Sequence, residues 1–427
     1  MAVTHRSLSV AVESTFGSLS STTGLPDNSG LSYISIPCER DPIIIAGEPV
    51  ASERTDARDG NYFTPPEPDT VYSSGSRVRR RTGQITCLVD LTTIGTAGNA
   101  YTSNYLGYLL GGGFKTQVPS VLSDSVTAVD ANNYTPTSAP TTNDVGTLIS
   151  STINGRAEYS AITDDDVSGD VTISPALSGS SYTAIRGLQT WYVPGRTNTG
   201  EREHSLSFRV DGVNFRTFAY GCVLESMSIT LDNGRLMAEL VYQAALIQDD
   251  HSNAVGPVEP AYNTGAPAFF RGSYVVVSST SPTSLTNAST GDTLARTALD
   301  AEDFSLTVTN TLTPLGHSNS ILAMSDMEIT DVVVELSLTL STVNTTIADD
   351  YFNRTVRQVL VGTGPQGDGL GCAIMLPAAQ LTVDPSAYDV TGNDIVRQQL
   401  TYQQSRFGGD VVETNAANSP FRIGLGV

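Results

Sequence analysis

The sequence predicts a mainly β protein built from a duplicated strand–helix–hairpin unit, with an insertion in the first copy. Three observations predict it. Most of the chain alternates apolar with small polar residues at a period of two, the mark of strands with one buried face. Only two stretches carry helical spacing, and each follows a strand of that pattern. The closing segments of the two halves also resemble each other.

In chain order, Ile85, Cys87, Val89 and Leu91 are expected on one face of a strand, with Gln84, Thr86 and Asp90 on the other. A first helix is expected over about Asn99 to Leu110, where Tyr101, Tyr105 and Leu109 recur every four residues and Gly111 to Gly113 stop it. Leu206, Phe208 and Val210 alternate with Ser205, Ser207 and Arg209. Asp232-Asn233-Gly234 is a hairpin turn signal. Further on, Phe304, Leu306 and Val308 define one strand, and Val332, Val334, Leu336, Leu338 and Leu340 a longer one. A second helix is expected over about Ile347 to Val361, with Phe352, Val356, Val359 and Leu360 on one face. Thr346 is its expected cap, Asp349 and Asp350 suit its positive end, and Gly362 is its stop.

The duplication rests on order and on short matches. Ile229-Thr230-Leu231-Asp232 aligns with Leu381-Thr382-Val383-Asp384, and Leu240-Val241-Tyr242-Gln243 with Leu400-Thr401-Tyr402-Gln403. The helices are further apart than the closing strands, so the first copy carries about 88 additional residues between helix and hairpin. They fall within 115–203 and read either as long surface loops or as a small strand-rich subdomain. The expected boundaries are 1–248 for the first domain, 249–268 for a linker and 269–427 for the second domain.

The 427 residues carry 44 acidic and 23 basic side chains, a net of −21, with a single lysine, Lys115. That sign argues against a nucleic-acid groove binder, which needs clustered cations; the plainest reading of the charge is solubility. No apolar run suggests a secretory signal or a membrane helix. Cys38, Cys87, Cys222 and Cys372 lie far apart and are expected as free, buried thiols.

Nothing in the sequence points to catalysis, a metal or a cofactor. His5, His204, His251 and His317 have no partner at metal-ligand spacing. Gly111-Gly112-Gly113-Phe114-Lys115-Thr116 lacks the glycine a phosphate loop needs before its lysine, and reads as a helix stop. Asp164, Asp165, Asp166 and Asp170 do not follow a calcium-loop spacing and read as an exposed acidic turn. Arg77, Arg79, Arg80 and Arg81 form the one basic cluster. It reads equally as an inter-subunit docking patch for carboxylates or as a reflection of gene composition.

The stretch Phe215 to Ala244, with Gly221-Cys222 opening a strand before a hairpin, resembles the closing half of the tail tube domain of long-tailed bacteriophages. Asp303 to Leu312 (DFSLTVTNTL) is similar to the strand that opens that domain, and Ser76 to Leu91 to the strand pair before its helix. The resemblance covers about a third of the chain and implies two tandem tube-type β-sandwich/barrel domains, each with one flanking α-helix. It implies a structural virion protein and no enzyme: three chains close a pseudo-sixfold ring, and rings stack into a tail tube. Its implied partners are further copies of itself, a tape-measure protein and viral DNA in the lumen, and the terminator and distal tail or baseplate proteins, with no membrane. Arg40 to Ser74 is similar to the loop that reaches the adjacent ring, with Thr311 to Ser325 its shorter counterpart. On this reading Glu225, Glu239 and Glu335 are candidate lumen-lining groups, although each also suits an ordinary solvated strand face. A capsid decoration, a tail fibre or a secreted sugar-binding or adhesin module are the rival readings. A fibre would show short tandem repeats, and a sugar binder more tryptophan than Trp191 alone.

Overall fold

The computed structural model describes residues 6–19, 26–39, 42–46, 82–91, 101, 104–138, 144–165, 169–193, 202–212, 215–250, 274–279, 297–316, 322, 324–363, 371–385, 389–391, 395–405, 416 and 419–426. Strands make up 65% of them, against two α-helices.

The first strands are β1 (Ser7–Val12), β2 (Ile34–Ile36), β3 (Ile43–Ala46) and β4 (Gly83–Asp90), followed by helix α1 (Tyr105–Gly111). Seven short strands come next: β5 (Lys115–Gln117), β6 (Ser123–Ala128), β7 (Asn133–Pro136), β8 (Leu148–Ile153), β9 (Arg156–Asp165), β10 (Val171–Ser174) and β11 (Ala184–Tyr192). Then follow β12 (Leu206–Gly212), β13 (Phe215–Asp232), β14 (Arg235–Asp250), β15 (Tyr274–Ser279), β16 (Thr297–Leu299), β17 (Ala301–Gly316) and β18 (Met324–Leu340). After helix α2 (Thr345–Asn353) come β19 (Arg357–Thr363), β20 (Cys372–Leu381), β21 (Asp389–Thr391), β22 (Ile395–Gln404) and β23 (Arg422–Gly426).

Hydrogen-bonded pairing follows one order twice. In the first half it runs β1–β12–β13–β14–β4–β3. In the second it runs β15–β19–β20–β22–β18–β17. The halves join edge to edge, because β13 pairs with β12 along Phe215–Cys222 and then with β17 along Ser226–Ile229. A bulge at Glu225 marks the exchange. One face of the joined strands is apolar: Ile85, Cys87, Leu240, Met227, Leu306, Leu336 and Leu400 belong to one buried core. Val275, Val277, Val359 and Val361 share that core from the other side.

Both helices sit against it, each for a legible reason. Asn104 caps α1 by accepting from Leu106 N–H at 2.8 Å, and Gly112 closes it as expected. The second helix is shorter than its spacing suggests. Asn344 caps it by accepting from Ile347 N–H, Thr346 lies inside it, and Arg354 ends it at a φ of 51°. Val359 and Leu360 lie beyond it in β19, a strand buried along its whole length between β15 and β20. β-branched residues buried on both sides favour that strand over a helical turn. Phe352, expected on the packed face, is 67% exposed.

The strand-rich alternative holds for the inserted segment. β6, β7, β10, β9, β8 and β11 pair in that circular order and close a six-stranded barrel. It has its own core, including Tyr134, Ile149, Ile162, Ile173 and Ile185. Closure leaves no unpaired edge in this small unit.

Several boundaries differ from expectation. Asp249 and Asp250 belong to β14 rather than to a linker. The counterpart loop at Thr311 to Ser325 is mostly strand, with β17 running to Gly316 and β18 starting at Met324. Within Arg40 to Ser74, Ile43–Ala46 is β3 and the remainder, apart from Pro42, lies outside the described residues. The turn Asp232-Asn233-Gly234 is as expected: Asn233 and Gly234 take φ of 51° and 80°, and Asp232 faces Arg235.

Candidate functional site

The face opposite the main core is the candidate surface, and it runs without interruption across both halves. One row of facing residues reads Leu88, Glu239, Ser228, Thr307, Glu335 and Gln403 across six strands. Side chains directly opposite one another share a face, so Glu239 and Glu335 are brought onto one surface. Glu335 is exposed and Glu239 half-buried. Glu225 stands at the bulge and accepts from Gln84 Nε2 at 2.7 Å, which turns it to the same side. Ser226, Thr309, Ser337 and Thr339 extend the polar character. The arginine cluster 77–81 lies outside the described residues.

Alternation in the sequence missed the apolar groups on this face. Ile43 and Ile45 on β3 are 44% and 56% exposed, and Val333 is 39% exposed. Ile43 faces Thr86, and Ile45 faces Gln84. The signal was present in the run Ile43-Ile44-Ile45, which leaves an apolar residue on both faces of an edge strand.

At one end of the surface Arg235 meets Asp90 at 3.1 Å and Glu39 at 3.4 Å. Burial raises the Asp90 carboxyl to about 6, a hydrogen bond with Glu39 adds to the rise, and Arg235 opposes it. These carboxylates surround a guanidinium, so their arrangement is that of an ion-pair network.

Away from this face, Glu13 is 5% exposed and holds three donors: Gly17 N–H at 2.9 Å, Gly221 N–H at 2.9 Å and Ser205 Oγ at 2.7 Å. Burial nonetheless raises its carboxyl to about 7. Gly221 takes a φ of 61°, and a Cβ there would meet Phe16 and Ala245 below 3 Å. The Gly221-Cys222 pair is therefore where the backbone must kink to reach Glu13. His204 caps the end of α1 through Tyr108 O at 3.1 Å, and burial lowers its pKa.

Among the described residues no group of His, Cys, Asp and Glu is placed to hold a metal, and no helix is long and apolar enough to cross a membrane. All four cysteines are free thiols; Cys87, Cys222 and Cys372 are buried, while Cys38 is only partly so. A pocket at the barrel rim, between Asp124, Tyr134 and Asp144, has room for little beyond water. Of the expected acidic turn, Asp164 and Asp165 instead end strand β9, opposite Thr172 and Val171 of β10, and the exposed Asp170 accepts from Thr135 Oγ1 at 2.6 Å.

No family model matches the chain, and no curated protein does.

Proposed function

We propose that the chain is a structural subunit of a phage tail tube, in which three copies close a ring of six sheet units and rings stack around a lumen. The observation that carries this reading is the repeated pairing order, joined so that one face, acidic and Ser/Thr-rich with a few exposed apolar groups, continues across both halves. On that order the chain is two copies of one unit. Leu240 faces Cys87 as Leu400 faces Leu338, and Tyr242 faces Ile85 as Tyr402 faces Leu336. The intrachain seam then serves as a template for the seam between chains. β3 stands where β17 stands, and it has no second partner strand among the described residues. The edge that would receive it lies past Leu381, the counterpart of Leu224, where Val383 is 50% exposed. A contact of unlike edges that closes on itself gives a ring.

In such a ring the surface bearing Glu225, Glu239 and Glu335 lines the lumen, with Ser, Thr and Gln between the acids. Like charge keeps DNA phosphates from settling on the wall, and the reading assigns the chain no chemical step. A tape-measure protein and then DNA occupy the lumen, terminator and distal tail proteins cap the tube, and the virion tail is the location. Electron microscopy of concentrated protein, with and without a tail-initiator complex, tests this. Rings or tubes of threefold chain symmetry support it; a monomer under every condition refutes it.

A further inference from the structure

We infer that the six-stranded barrel is a clamp that holds the two halves of the chain at a fixed angle, so that the β13–β17 seam depends on it. The barrel is inserted into the first half and anchored there. Tyr101 N–H donates to Gln189 Oε1 at 2.8 Å, the Tyr101 and Trp191 rings meet edge to face at 5.2 Å, and β5 pairs with β11. Its outer wall nevertheless packs on the second half. Tyr159, Leu148 and Leu188 form one buried cluster with Val276, Leu360 and Met375. β8 is accordingly buried over most of its length, with Ile149 and Ile153 in the barrel core and Leu148 in the cluster shared with the second half.

The fit is specific at Tyr159. Its hydroxyl donates to Thr363 O at 3.0 Å. A Cβ on Gly362 would lie 2.0 Å from the Tyr159 ring, and one on Gly371 would lie 2.0 Å from its hydroxyl. Both glycines are the seat of this ring. Ser174 Oγ donates to Gln358 Oε1 at 2.9 Å, on a glutamine that is 2% exposed. β23 completes the clamp, with Ile423 facing Trp191 of β11 on one side and Ile374 of β20 on the other.

Two comparisons make the contact a device rather than incidental packing. The seam has only four facing pairs, Ser226–Ile229 with Leu306–Thr309, backed on one face by the common core, so few ladder bonds fix the angle between the halves. Only the second half offers a seat. In the repeated pairing order, Val276, Leu360 and Met375 stand where the first half has Ser9, Arg209 and Phe218. Arg209 there is tied to Asp211 and lies over the Tyr33 ring. If the ring reading holds, seams within chains are clamped and seams between chains are not; the clamp itself does not rest on that reading.

Hydrogen exchange of the unassembled full chain tests it. Tyr159→Ala is expected to speed exchange of the seam amides within 226–229 and 306–309 by about tenfold or more. Amides of the β13–β14 turn, remote from the clamp, keep their rates. A folded Tyr159→Ala chain with unchanged seam rates overturns the proposal. Should the alanine variant not fold, Tyr159→Phe, which keeps the ring and loses the bond to Thr363, decides. A few-fold acceleration confined to the seam supports the clamp, and unchanged seam rates refute it.

Discussion

Asn310 Nδ2 donates to the backbone carbonyl of Leu224 at 2.9 Å, across the point where β13 leaves β12 and takes up β17. The bulge at Glu225 breaks the ladder there, so both backbone groups of Leu224 need other partners. Its N–H reaches Gly112 O at the end of α1, and its carbonyl takes Asn310, which is 3% exposed. Helix end, bulge and asparagine thus fill one gap together. Asn310→Ala leaves a buried carbonyl unpaired and is expected to cost about 2 kcal/mol. Urea unfolding of the purified chain measures it; a loss below about 0.5 kcal/mol would mean that water takes over the bond.

Glu13 makes stability fall as pH rises. Its folded-state pKa, about 7, lies above the ordinary value of 4.5. The stabilisation is therefore complete below about 4.5 and is lost as pH rises through 7. The loss is on the order of 3 kcal/mol for a shift of that size. Glu13→Gln keeps the shape and removes the ionisation, so its unfolding midpoint should be flatter than the wild type between pH 5 and 8. Equal slopes in the two proteins would remove Glu13 as the cause.

The mainly β class, the Asn233-Gly234 turn and the two unlike faces of the long strands were legible because each depends on alternation or on one local conformation. What alternation cannot show is why a glycine is there. Gly362 reads as a helix stop, yet it sits near the end of β19, where Tyr159, some 200 positions earlier, needs the space. The same blindness lengthened the second helix, since burial of Val359 and Leu360 by β15 and the barrel is a long-range fact. Register was also hidden. The sequence matches Ile229 with Leu381, but Ile229 faces Ala238 while Leu381 faces Tyr402, the place that Leu224 has opposite Tyr242. The extra residues of the second hairpin shift the alignment. Of the surface acids, Glu239 and Glu335 lie on the face opposite Leu240 and Leu336 by simple alternation, whereas the side taken by Glu225 depends on a bulge the sequence does not announce.

A buried ion pair fixes the end of α2. Arg357 Nε donates to Asp350 Oδ2 at 2.7 Å, with the two residues 4% and 3% exposed. Asp350 was read as a helix-dipole group, but its partner lies in the following strand. Asp350→Leu or Arg357→Met alone leaves one buried charge uncompensated and should cost about 3–5 kcal/mol. Asp350→Leu with Arg357→Met removes both charges and should recover most of that. A double-mutant cycle by denaturant unfolding measures the coupling, and additive losses would show that the pair is not coupled.

Reversing the surface charge separates the lumen reading from the bland one. Glu335 is exposed and Glu239 half-buried, so Glu335→Arg and Glu239→Arg each change stability by about 0.5 kcal/mol or less if they only exchange solvated charge. A solvated strand face predicts nothing further. A lumen wall predicts that assembled particles carrying both substitutions retain double-stranded DNA that wild-type particles release. Each added phosphate contact would steepen the salt dependence of retention by about 0.9 in the log–log slope. The same substitutions in the unassembled chain place two cations on an open sheet, which cannot surround a duplex, so retention should depend on assembly. Equal DNA binding by unassembled and assembled variants would place these residues on an outer surface.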